Sequence, residues 1–180
     1  MQKSVLTLLV AALPLAAQQI KFPPAFEKLA AKASEKINVN LDASLVEFAG
    51  RFLSGEKPDE AAAKKLLGSL KGIYIRGFEF SKEGEYSPKD LDSIREQLKS
   101  PGWNCFFSAE EQGGRETVDI CLHREGELAT GLVVLAVEPK EVSVINIVGS
   151  IRPEDLATLS GKFGIPEIKK KLTAPAKPKQ

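Results

Sequence analysis

Cys105, Cys121, His123 and Asp119 are the residues of this chain with the types and spacing best suited to chemistry. The two cysteines flank a turn centred on Gly113. A loop of odd length would set them directly opposite on neighbouring strands, where their sulfurs can bond. A two-residue Gly113-Gly114 turn would instead oppose Cys105 to Leu122, put the thiols on different faces and leave both free. Register decides between a disulfide and two free thiols, and both stay open at this level. Alternation places Cys121 with Asp119 and His123, against Val118, Ile120 and Leu122 on the other face, so a bridge would clip the hairpin on its more polar side. Cys121 and His123 also have the spacing of a nucleophile and its base. The period of a strand produces that spacing equally well. His123 is the sole histidine, which excludes a multi-His metal site, and the four groups are too few and too close for a zinc centre. No G-x-S-x-G, phosphate loop, H-E-x-x-H or dinucleotide fingerprint occurs. The expectation is no catalytic residue, no metal and no cofactor, with a small hydrolase as the minority alternative.

Binding chemistry has a second candidate locus. Tyr74, Arg76 and Phe78 share one face of a strand, a cation between two rings that suits an anionic or planar ligand. Asn146 sits between Ile145 and Ile147 and needs hydrogen-bond partners if buried. A satisfied polar network beneath the N-terminal helices is the competing reading of both, because buried polar groups usually serve architecture.

These residues must be positioned by an alternation of helices and strands. Phe26, Leu29, Ala30, Ala33 and Ile37 recur at spacings of three and four, which predicts an amphipathic helix opened by Pro23-Pro24. Ile37, Val39 and Leu41 alternate with Asn38 and Asn40, as in an extended link or edge strand. Helices are predicted from Ala43 to Leu53, capped by Asp42, and from Pro58 to Gly68. The β-branched and aromatic run from Leu70 predicts a strand, and Ser87-Pro88-Lys89-Asp90 opens a helix that Ser100-Pro101-Gly102 stops. Four strands follow: Trp103 to Ser108, Glu116 to His123, Leu128 to Val137 and Val142 to Val148. Leu132 to Val137 is apolar on both faces and belongs in the middle of a sheet. A last helix opens at Pro153. The predicted fold is α+β: a five-stranded, mainly antiparallel sheet packed by N-terminal helices, one β-α-β helix and one C-terminal helix. The strand–helix–strand unit from Leu70 to Ser108 permits one parallel pairing, hence a mixed sheet.

The chain's ends bound where it works. Lys3 precedes an apolar run from Val5 to Ala17 that is shorter than the roughly 20 residues needed to span a bilayer. Residues 1–17 therefore read as a secretory signal, 18–166 as a single domain and 167–180 as a disordered Lys/Pro-rich tail. Losing Lys3 leaves 24 basic against 24 acidic residues, so no net charge draws the protein to nucleic acid. The expected location is periplasmic or secreted, with no integral membrane segment after cleavage.

The phrases Leu70-Lys71-Gly72-Ile73-Tyr74-Ile75-Arg76, Ser100-Pro101-Gly102-Trp103, Val137-Glu138-Pro139-Lys140-Glu141 and Asn146-Ile147-Val148-Gly149 carry a family resemblance. By these the chain resembles the bacterial exported domain-of-unknown-function family 4252, from about Phe26 to Pro166. The resemblance implies a Gram-negative envelope protein and supplies no activity, cofactor or site residue; Cys105 and Cys121 are not part of its pattern. The functional expectation is an exported, non-catalytic envelope protein that binds a protein, peptide or surface component. The alternative is a regulatory or envelope-stress factor acting on a membrane-bound signalling partner.

Overall fold

The computed structural model describes residues 18–110 and 116–152. The expected leader, the Gly113-Gly114 turn, the helix from Pro153, the closing Phe163-Gly164-Ile165-Pro166 turn and the tail lie outside the described residues.

Among the described residues one sheet of six strands organises the fold: β1 (Glu35–Asp42), β2 (Leu70–Glu79), β3 (Trp103–Glu110), β4 (Thr117–Glu125), β5 (Leu128–Glu138) and β6 (Glu141–Ile151). Their order across the sheet is β1-β2-β6-β5-β4-β3. The α+β class stands, with six strands rather than five. The additional one is β1, whose Ile37, Val39 and Leu41 do alternate with asparagines as an edge strand requires. Every pairing is antiparallel, so the sheet is not mixed. The parallel pairing fails because β3 to β6 form a meander whose last strand, β6, takes β2 as its outer neighbour, leaving β2 and β3 far apart. β5 and β6 lie at the centre, as the doubly apolar run of β5 predicts.

Helices cover both faces. On the first lie the extended segment from Gln18, helix α1 (Pro24–Glu27) with a 3-10 turn over Lys28–Ala31, and a helical stretch made of a 3-10 turn at Pro88–Leu91, helix α4 (Asp92–Arg95) and a 3-10 turn at Gln97–Lys99. Phe26, Leu29, Leu91 and Ile94 pack there on Phe78, Phe80, Val133, Leu135 and Val144. Burial of each such side chain stabilises the fold by about 1.5–3 kcal/mol. On the second face, helices α2 (Ala43–Gly50) and α3 (Pro58–Ser69) lay Val46 and Leu66 over Ile73, Ile145 and Ile147.

The first helix is shorter than its periodicity suggests. It ends near Ala31, and Ser34 donates its N–H to the Glu79 carbonyl, turning the chain into β1. Ile37 therefore belongs to the strand and is 57% exposed, while Phe26 and Leu29 alone carry the buried helical stripe. Ser87 and Asp90 form the expected capping box. The entry of β2 depends on Gly149: at φ +142°, a Cβ there would lie 2.6 Å from Leu70 Cα and Ser69 O, backbone atoms that cannot step aside.

Candidate functional site

Asn146 is fully buried on β6 and works as a clasp for the N-terminal segment. Its Oδ1 accepts the Ile20 N–H at 2.9 Å, and its Nδ2 donates to Gln18 O at 3.3 Å and Leu132 O at 3.2 Å. Gln97 grips the next residue, accepting the Lys21 N–H and donating to Lys21 O, both at 2.9 Å. The Gln18 side-chain amide donates to Glu125 at 2.8 Å. Three side chains thus hold an extended segment that has no ladder of its own, satisfying backbone groups that would be costly to leave bare.

Tyr74, Arg76 and Phe78 share the face expected of them, but the chain itself occupies it. The Arg76 guanidinium lies 4.5 Å over the Phe22 ring, and its Nε donates to Glu27 at 3.0 Å. Its Nη1 donates to Asn40 Oδ1 and Ile75 O at 3.0 Å. The anion and the planar ring that this cation suits are Glu27 and Phe22. Phe78 is in the core against Phe26, ring centroids 5.3 Å apart. Arg76 and Asn146 accordingly fix the N-terminal segment and α1 onto the sheet.

That docking creates a cleft. Gln19, Ile20, Lys21 and Pro23 form one wall, and Ser93, Gln97, Ser100, Pro101 and Trp103 the other, around about 530 Å³. Lys21 is the one ionisable residue among the described residues of the lining. Trp103 opens β3 immediately after Gly102, whose φ of +93° makes the turn; a Cβ there would fall 2.5 Å from His123 Nε2. His123 is buried, meets Trp103 edge-on with ring centroids 5.2 Å apart, and sits with Nδ1 3.0 Å from Thr130 Oγ1. It serves as the support of Trp103. The cleft lining combines an aromatic ring with hydroxyl and amide neighbours and a lysine.

Cys105 and Cys121 are bonded, directly opposite each other in the β3–β4 ladder. Residues 111–116 separate the two strands, an even number that by itself would oppose Cys105 to Leu122. A bulge between Cys105 and Phe107 removes the offset, pairing Phe107 with Ile120 on one side of it and Cys105 with Cys121 on the other. Contrary to the expectation of a polar side, Cys121 is wholly buried in the core under α1 and α4. The bond leaves no thiol for His123 to deprotonate. Among the described residues no group of His, Cys, Asp and Glu is placed to hold a metal ion, and no helix is long and apolar enough to cross a membrane.

The profile of one family, described as a domain of unknown function, DUF4252, matches residues 30–159. The chain belongs to the DUF4252 family. No characterised protein and no solved structure is significantly similar to it. The DUF4252 match takes in β1 to β6 and one wall of the cleft, Ser93 to Trp103; the Gln19–Pro23 wall lies ahead of it.

The titrations that the DUF4252 fold shifts lie away from the cleft. Burial, with Glu138 and Glu79 nearby, raises the Glu141 carboxyl. Burial, reinforced by the Glu138 charge and opposed by Arg95, pushes the Tyr86 phenol up to about 12. Tyr86 stacks on Phe80 and donates to the Glu138 carbonyl, so it fastens the β5–β6 turn. Sequence reasoning missed the cleft in this DUF4252 chain because its walls come from segments some 75 residues apart, although the single Trp103 beside Pro101-Gly102 was a usable signal.

Proposed function

We propose that this DUF4252 protein is an exported, non-catalytic component of the cell envelope that binds an extended segment of an envelope protein in the Trp103 cleft. The leader pattern of residues 1–17 supports the location. The single observation that carries the binding reading is the cleft itself: two prolines, Ile20 and Trp103 offer apolar contact, and Lys21 offers a positive charge. Such a lining favours a segment with apolar side chains and a carboxylate, either acidic or terminal. A membrane-bound signalling protein as the occupant would make the same contact regulatory.

Trp103 is the sole tryptophan, so its emission reports the cleft directly. Crosslinking in intact cells identifies the component held, and titrating peptides from it into the mature protein shifts the emission and does so less in Lys21→Glu. Crosslinks that map only to the second face of the sheet, with emission unmoved by the captured peptides, would refute the proposal.

A further inference from the structure

β1 is an open edge. Among the described residues it pairs only with β2, through eight consecutive positions from Glu35↔Glu79 to Asp42↔Gly72 with no bulge. It contains no proline, and Ile37 stands 57% exposed on its second-face side. A regular edge with no bulge and no proline is a template for another strand.

The sequence of this strand is complementary to itself. In an antiparallel pair of two copies, a twofold axis perpendicular to the sheet sets residues of the same face opposite each other. Centred on Val39, it places Lys36 against the partner's Asp42, Ile37 against the partner's Leu41, Asn38 against the partner's Asn40, and Val39 against the partner's Val39. Opposite charges, apolar pairs and amide pairs each meet their own kind of complement. Moving the axis one residue toward the start, to Asn38, sets Glu35 against Leu41 and loses this match.

Helix α2 extends the same surface. Its flank toward α3 carries Val46 and Gly50, the latter facing Leu67. Leu45 and Phe48 fall on another flank, with Phe52 in the turn that follows the helix, and the three are 46%, 55% and 76% exposed. α2 rises directly from the end of β1, and Phe48 and Phe52 meet edge to face at 5.1 Å. We infer that the protein associates with a second copy of itself by antiparallel β1–β1 pairing, making one continuous sheet across two chains. The partner's Ile37 comes to rest beside Leu41 at the foot of α2. The Trp103 cleft, on the first face, stays open in both copies.

Sedimentation velocity of the mature protein from about 1 to about 100 µM tests the pairing and should show a dimer. Ile37→Lys buries a cation against the partner's Leu41 twice per dimer and should raise the dissociation constant at least about 100-fold. Lys36→Glu turns both Lys–Asp pairs repulsive and should raise it about 10-fold. Both side chains are exposed, so unchanged thermal melting at low concentration separates lost pairing from lost folding. With Cys105 and Cys121 bonded, Val39→Cys introduces the lone free thiol, and mild oxidation should link two chains at the axis. A monomer throughout the range overturns the inference, as does a dimer that withstands both β1 substitutions or leaves the new thiol unlinked.

Discussion

The two edges of the sheet, β3 and β1, are held by different means. β3 begins at a left-handed glycine, carries a bulge, is bonded covalently to β4, and adds a Ser108–Asp119 hydrogen bond of 2.6 Å. β1 has an unbroken register, one cation from β2 reaching Asn40, and a helix cap at its end. A bulge twists an edge and breaks its row of donors and acceptors, which discourages a further strand. β3 is thus closed to strand addition by irregularity and secured by sulfur. β1 keeps regular geometry and, among the described residues, leaves its outer backbone groups without a strand partner, which is the difference that the proposed pairing uses.

Removing the bridge is the strongest way to test this contrast. Cys105→Ala with Cys121→Ala opens a loop of sequence separation 16. The loss in chemical denaturation should be about 3 kcal/mol. Amide exchange should quicken over Trp103–Glu110 and stay unchanged over Glu35–Asp42; equal acceleration at both edges would mean that the bond does not distinguish them. Next in size is Gly102→Ala, which asks a Cβ to occupy a left-handed position 2.5 Å from His123 Nε2. About 1–3 kcal/mol should be lost, with a shift in Trp103 emission as His123 is displaced. Unaltered emission would show that His123 does not support the ring.

Much of the framework was legible because local chemistry announces it. The Ser87–Asp90 box, the Asp42 cap and the doubly apolar Leu132–Val137 run each specify an element without reference to the rest of the chain. The end of the first helix is not legible, because Ala33 and Ile37 continue a helical spacing by coincidence and the pairing of Ser34 with Glu79, 45 residues away, ends it. The disulfide was undecidable for a similar reason: one bulged residue, Phe106, reverses the answer given by loop length. Asn146 between two isoleucines signals a polar group needing partners, but its partners are backbone atoms of Gln18, Ile20 and Leu132 that no periodicity points to. Arg76 showed its preference for an anion and a ring, while the supply of both from Phe22 and Glu27 is a tertiary fact.

The smallest expected effect sharpens the same comparison at the end of β1. Asp42 accepts hydrogen bonds from Ser44 Oγ at 2.7 Å and from the Leu45 N–H at 3.0 Å, capping α2 where the strand stops. Those two donors, Ser44 first, hold its carboxyl below the ordinary value of 3.8. A lowered carboxylate contributes stability that is present above its unfolded pKa and is lost as pH falls through its lower folded value. Asparagine caps helices about as well as aspartate and does not titrate. Asp42→Asn should therefore leave the neutral stability of the monomer nearly unchanged and flatten the acid limb below about pH 4, read from thermal melts across a pH series at concentrations too low for the proposed pairing. Identical acid limbs would show that the cap's charge is immaterial. A flattened limb would mean that protons loosen the base of α2 beside the open edge, whereas the covalent anchor of β3 responds to reductant.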